Sequence, residues 1–340
     1  MKIVIDNHHL DHSGGGEHVR MIISLLSNFS EIYVTRKPSF YSGNNFTTTP
    51  LKNPVKQYKY NFTPDLFIYI SYRGESKGIG KVNAQLCFYA IKKDIKNYEH
   101  AICINNFVAN SVKNNWGINP VIIPPFFDFE TYNIQPKEKS LINIGNFFME
   151  NDGHSKNQHI LMEWFIDNKL EKDGWKFNFF GFLNNDEYFK KLKSISSKSN
   201  GIHLHPNADR ATMLAYLSSA KFMIHAMGYG RSDPAQTEHF GLVAVQSLLS
   251  GCRPIVHKSG GCKDIQGTLS YSNTNEILDI ITSDDSTPDQ LRSLGKIYSY
   301  ESSLRATEIF IEQIVNKSSS IPTSAEHLKS RFHHLIKSIR

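Results

Sequence analysis

The sequence predicts an α/β protein built from two Rossmann-like domains in succession. Three observations carry this. A strand, a glycine turn and an amphipathic helix open the chain; short buried-strand runs then alternate with helical stripes in both halves; and a proline pair followed by a polar stretch separates the halves. The resulting boundaries are 1–136 for an N-terminal domain, 137–315 for a second domain, and 316–340 for a Ser-rich spacer and a basic amphipathic helix.

Ile3, Val4 and Ile5 form the first strand run, Gly14, Gly15 and Gly16 the turn, and Val19, Ile22, Ile23 and Leu26 the helical stripe. Further strand runs lie at 32–35, 66–70, 86–89, 101–104 and 121–123, most of them rich in β-branched or aromatic side chains. Residues 36–63 read mostly as loop. Pro124 and Pro125 close the half, because neither can donate to a ladder or continue a helix. Residues 131–140 then read as an interdomain linker. The pattern restarts with strands at 141–144, 177–180, 202–204, 222–225 and 255–257, and with helices near 158–168, 187–195, 212–218 and 241–249. Near the C-terminus, Thr323 and Glu326 have capping-box spacing, and Leu328, Phe332, Leu335, Ile336 and Ile339 mark one apolar face. Two readings of 323–340 stay open: a helix docked on the protein's own surface, or a peripheral contact with a membrane or partner.

Composition narrows the function classes. Of 340 residues, 40% are hydrophobic and 21% charged, as in an ordinary globular protein; a net charge of +6 spread over two domains is only weak evidence for nucleic acid, which is not expected as a partner, and is compatible with a phosphorylated ligand. No apolar run approaches the roughly 18 residues that span a bilayer, and the N-terminus turns polar too early for a signal peptide. Cys87, Cys103, Cys252 and Cys262 have neither metal-ligand nor redox spacing, so a cytoplasmic location, with or without peripheral membrane contact, is the expectation. His8, His9, Asp11 and His12 form a dense cluster, and His203 and His205 share a strand face, but neither set has zinc-site spacing; no metal is expected.

The most informative stretch is His225–Ile265. A strand ends near His225, a loop leads to Glu238-His239-Phe240-Gly241, a helix runs to Leu249, Gly251 ends it, and Pro254 to Val256 restart the sheet. The start of that helix would present unpaired N–H groups, a good receptor for phosphate. This stretch resembles the donor-binding segment of retaining GT-B glycosyltransferases of the group 1, family 4-like type, whose EHFG-type motif has two glutamates separated by seven residues. Glu238 matches the first; Gln246 stands at the second. By that resemblance Glu238 sits over the donor sugar, Gln246 meets the ribose, and Phe240, Gly241, Leu242 and Val243 belong to the segment that holds the diphosphate. His225 is either a donor-pocket residue or a core histidine at a strand end.

Other segments follow in the family's order. Gly14-Gly15-Gly16-Glu17 is similar to its N-terminal glycine loop, which assigns Gly15 and Gly16 to the donor phosphates. Asn110-Ser111 and the VIIPPFFD run resemble its NS and PP-x-D segments, with helix capping and a rigid turn as the alternative. INIGNFFMENDGHSK resembles the start of its nucleotide-binding domain: Lys156 occupies the position of a lysine that neutralises the leaving diphosphate, while Asn146 stands where arginine is usual. Arg231 or Lys258 would be the compensating cation. The resemblance implies a GT-B fold with the two domains facing across a cleft and the C-terminal helices returning toward the first domain. It also implies transfer of a hexose from a UDP- or GDP-sugar to a glycan, lipid-linked or other hydroxyl acceptor, with Glu238 and Lys156 catalytic, no metal, and the nucleotide-sugar as co-substrate rather than cofactor. Two other readings are a catalytically weak nucleotide-sugar-binding subunit and a nucleotide-sugar epimerase on the same fold.

Overall fold

The computed structural model describes residues 1–7, 14–35, 51–70, 78–89, 98–149 and 153–318. They fall into two compact units, Met1–Asp128 with the segment from Tyr298 onward, and Phe129–Ile297.

The first unit contains β1 (Lys2–Asn7), α1 (Gly14–Leu26), β2 (Glu31–Val34), β3 (Val55–Gln57), β4 (Leu66–Ile70), β5 (Val82–Cys87), β6 (His100–Cys103), α2 (Asn106–Trp116) and β7 (Val121–Ile122). Its strands pair in parallel in the order β3-β2-β1-β4-β5-β6-β7. β4 is buried at all five positions, as a central parallel strand with both faces covered should be. The three glycines expected to form a loop instead make the first turn of α1. Asn110 and Ser111 lie inside α2 and are not its cap: Asn105 caps it by accepting the Val108 N–H at 3.0 Å. Sequence reading missed β3, since Val-Lys-Gln has one apolar residue and sits at the sheet edge.

In the second unit, β8 (Glu138–Ile144), α3 (Gln158–Asp167), β9 (Lys176–Gly181), α4 (Asp186–Ser196), β10 (Ile202–Pro206), α5 (Arg210–Ser219) and β11 (Ala220–His225) are followed by α6 (Leu242–Leu249), β12 (Arg253–His257), β13 (Leu269–Tyr271), α7 (Glu276–Ser283) and α8 (Pro288–Gly295). The order is β10-β9-β8-β11-β12-β13, again all parallel. The winding therefore reverses between β8 and β11, which creates a switch point at their carboxyl ends. Phe165, Phe177, Phe179, Phe222 and Tyr271 fill this unit's core.

The units divide differently from the predicted boundaries. Residues 129–136, expected as linker and N-terminal domain, belong to the second unit. Arg292 donates to the carbonyls of Phe129 and Tyr132 at 3.0 and 2.6 Å, and Lys137 Nζ donates to those of Ser218 and Ser250, both at 2.7 Å. Residues 298–315, assigned by sequence to the second domain, belong to the first. There α9 (Tyr300–Ser318) buries Phe310, Ile311 and Ile314, Ser303 Oγ donates to the Pro124 carbonyl at 2.9 Å, and Asn28 donates to Tyr300 Oη at 2.6 Å. The His8–His12 cluster and the 323–340 helix lie outside the described residues.

Candidate functional site

Three loops of the second unit leave the carboxyl ends of neighbouring strands and converge. The first follows β8 and carries Gly145, Asn146 and Lys156. The second follows β11 and carries Met227, Arg231 and Glu238. The third follows β12 and carries Ser259, Gly260 and Gly261.

At their meeting point Lys156 Nζ donates to Glu238 Oε2 at 2.8 Å and to Met227 Sδ at 2.9 Å, and His225 Nε2 lies 3.4 Å from the same carboxylate oxygen. Burial opposes a charge on Glu238, but the Lys156 ammonium and His225 outweigh it and hold the carboxyl at about 2. His225 is buried, and that burial, aided by the Lys156 charge, lowers its imidazole to about 4, so the ring is neutral near pH 7. Its Nδ1 faces the Met227 N–H at 3.4 Å, which assigns the proton to Nε2, the nitrogen that faces Glu238. Tyr271 Oη donates to the His225 carbonyl at 3.1 Å and anchors the strand end. The result is a carboxylate held ionised between an ammonium and a neutral N–H donor.

Glycines permit this convergence. A Cβ on Gly145 would meet Lys156 Cγ at 2.8 Å, so the bare backbone gives the lysine stem its bed. Gly241, at φ 90° and ψ 65°, precedes α6 without any side-chain cap. A side chain there would run into Cys262 Sγ. The Ser259–Cys262 loop also braces the motif, with the Gly261 and Cys262 N–H groups donating to the Glu238 carbonyl at 2.9 and 3.3 Å. Leu242 and Val243 open α6, whose first-turn N–H groups are the kind that receive an anion.

The remaining expected residues fall as follows. Phe240 is buried, and Gln246 is buried within α6 at 4% exposure. Arg231 lies in the turn after β11, its N–H donating to the Gly228 carbonyl at 3.1 Å. Gly15 and Gly16 belong to the first unit. Asn146, at the expected arginine position, is a loop brace: its Oδ1 accepts the Phe182 N–H at 3.4 Å, and its carbonyl accepts Gln158 Nε2 at 3.2 Å. His205 Nε2 donates to Asn178 Oδ1 at 3.0 Å and the ring stacks on Phe180, and among the described residues no group of three or more His, Cys, Asp and Glu is placed to hold a metal ion.

Sequence reading missed Asn157 and Met227. Asn157 is buried with φ 52°, and its Nδ2 donates to the carbonyls of Ala226 at 3.0 Å and Tyr229 at 3.3 Å. Its signal was an asparagine between Lys156 and the helix, a residue type that enters the left-handed region readily. Met227 has no such signal, because its role is only to lie where the lysine arrives.

Residues 127–270 match the family model for glycosyl transferases group 1. That group 1 segment contains Lys156, His225, Glu238, α6 and the Gly260 loop. A glycosyltransferase from Rickettsia africae ESF-5 superposes with a TM-score of 0.67 at 14% identity, over 92% of this chain and 98% of that one. Anabaena Alr3699/HepE, in complex with UDP and glucose, gives 0.67 at 12% identity over 92% and 99%. AviGT4, a glycosyltransferase involved in avilamycin A biosynthesis, gives 0.60 at 13% identity over 92% and 96%. No curated protein sequence matches the chain significantly. The fold is GT-B, two parallel-sheet Rossmann-like domains, and the group 1 segment together with these neighbours supports a glycosyltransferase.

Proposed function

We propose that the chain is a retaining, metal-independent glycosyltransferase that moves a hexose from a UDP- or GDP-sugar to a hydroxyl acceptor. The observation that carries this reading is the Lys156–Glu238–His225 cluster at the sheet's switch point, beside the uncapped start of α6. An anionic diphosphate suits that helix start. On donor binding Lys156 exchanges the Glu238 carboxylate for the diphosphate and stabilises the charge that grows there as the glycosidic bond breaks. Glu238, kept ionised, accepts hydrogen bonds from the sugar hydroxyls and orients the ring, and Gln246 binds the ribose. The acceptor hydroxyl attacks the face from which the diphosphate leaves, and the departing phosphate oxygen takes its proton. Catalysis is then positioning plus electrostatic stabilisation, with Lys156 and the helix start doing the work of a metal ion. HepE, whose structures hold UDP, glucose and UDP-glucose, has the same fold and so lends support to a nucleotide-sugar donor.

One observation favours a second reading. With Asn146 committed to bracing Phe182, one cation of the expected phosphate clamp is replaced by a structural amide, which suits a nucleotide-sugar-binding subunit of low turnover. Sugar release and acceptor transfer from radiolabelled UDP- and GDP-sugars, with the anomeric configuration of the product read by NMR, decide between the two. Tight donor binding without release selects the subunit, change in the donor sugar without acceptor selects an epimerase, and an inverted product overturns retention.

A further inference from the structure

We propose that Asn157 is a positioning residue that sets where the Lys156 ammonium sits, by clasping the loop after β8 to the turn after β11 across the switch point. Asn157 precedes α3 but makes no side-chain bond to that helix. Its amide is directed elsewhere: Nδ2 bridges the carbonyls of Ala226 and Tyr229, at 3.0 and 3.3 Å, while Oδ1 accepts Ser155 Oγ at 3.3 Å. The two acceptors flank Met227, whose sulfur receives Lys156 Nζ and whose N–H faces His225 Nδ1. One buried side chain therefore fixes the backbone adjoining Lys156 to the segment that carries both of the lysine's other neighbours. The backbone conformation, φ 52° and ψ 38°, narrows the residue choice further. Left-handed geometry is disfavoured for most side chains, asparagine being one of the few exceptions beside glycine. Glycine would meet the conformational requirement alone; asparagine meets it and supplies the clasp.

The consequence for turnover rests on Lys156 being the diphosphate-facing cation, whereas the geometric claim does not. The experiment separates them. Asn157→Gly preserves the left-handed backbone and deletes the amide; Asn157→Asp preserves shape but turns an oxygen toward two carbonyls. In each folded variant, labelling of Lys156 by an amine-reactive reagent, followed by peptide mass spectrometry, should be faster than in the wild type, with labelling of Lys56, in the first unit, unchanged. Turnover of the UDP- or GDP-sugar should fall on the order of 10–100-fold with the donor KM little changed, because a small misplacement of a catalytic group acts on the rate. Asn157→Ser, which restores a short polar side chain without the bridging NH2, should resemble the glycine variant. Wild-type labelling rates in the folded variants overturn the clasp. Faster labelling with wild-type turnover keeps the clasp but removes its catalytic consequence, and absence of donor turnover in the wild type itself counts against the proposed function instead. If the glycine variant does not fold, the aspartate and serine variants decide by the same two readouts.

Discussion

The two units wind their sheets alike, each running outward from its first strand and then back past it, yet one ion pair from each sits in a contrasting environment. In the first unit Lys56 and Glu31 meet at 2.6 Å with side chains 46% and 47% exposed. In the second, Lys156 and Glu238 meet at 2.8 Å with 17% and 21% exposed. An exposed pair is screened by water and contributes little. A half-buried pair interacts strongly, and removing one partner strands the other in a poorly solvated place. The apolar strands that decide the winding are common to both units. What differs is the sequence placed after the strand ends, and that is where the proposed chemistry lies.

The largest effect expected follows directly. Lys156→Ala should lower donor turnover by on the order of 10²–10³-fold, the scale of deleting one donor aimed at developing charge. Glu238→Ala should be comparably severe. Lys56→Ala, which breaks the shorter of the two pairs, should leave turnover and melting nearly unchanged. Equal effects at Lys56 and Lys156 would mean that the second pair is ordinary surface electrostatics and the site lies elsewhere.

Glycines sharpen the same contrast. Gly117 ends α2 at φ 68° with nothing within 4 Å of a built Cβ, so Gly117→Ala should cost only the backbone strain, about 1–2 kcal/mol. Gly241 combines φ 90° with an approach to Cys262 that leaves no room for a methyl group. Gly241→Ala should therefore destabilise by roughly 3 kcal/mol in urea unfolding and also weaken nucleoside diphosphate binding, because the start of α6 must shift. Equal destabilisation of the two variants would show that the Cys262 contact relaxes freely.

Much of this was legible in the sequence because it rests on local signals. The β-branched and aromatic runs at Leu66–Ile70, Phe177–Phe180 and Phe222–His225 became strands β4, β9 and β11, and the stripe at Val19, Ile22, Ile23 and Leu26 became the buried face of α1. The Glu238–Gly241 motif and Lys156 could be named because their spacing to a helix start is itself local. β3 and β13 were not legible, since three-residue edge strands are made by pairing and not by composition. The return of the C-terminal helices toward the first domain came from the family resemblance alone, because the contacts of α9 with Pro124 and Asn28 are far away in sequence. The joining of Lys156 to Met227, and of Asn157 to Tyr229, spans about seventy residues and is invisible to any periodicity.

Gln246 tests how far the second unit's interior can be altered. Gln246→Ala should weaken donor binding roughly tenfold, the loss of about one hydrogen bond, while the turnover number stays near wild type, because ribose contacts are alike in ground and transition states. Gln246→Glu places a charge at a position only 4% exposed, so the free protein should melt lower. Saturating donor should then recover most of that loss, since ribose hydroxyls would satisfy the carboxylate. A lower melting temperature that donor does not recover would remove Gln246 from the ribose.

The smallest effect is invisible at neutral pH and emerges on acidification. Glu238 holds its proton less tightly folded than unfolded, so the stability it contributes is complete above the ordinary carboxylate pKa and is lost as pH falls toward about 2. His225 is also lowered, to about 4, so the unfolded chain takes up its proton first and stability declines as pH falls from about 6.5 toward 4. His205, His239 and His257, lowered by burial in the first place, add to that upper window. His225→Gln keeps an N–H donor near Glu238 but cannot titrate, so its melting temperature should fall less steeply between about pH 6.5 and 4, while the acid limb below pH 4 persists. Glu31→Gln, the control in the first unit, should leave both limbs in place because its carboxylate is already open to solvent. A His225→Gln curve that overlays the wild type throughout would show that the imidazole does not gain a proton on unfolding, and with that the neutral N–H facing Glu238 would lose its support.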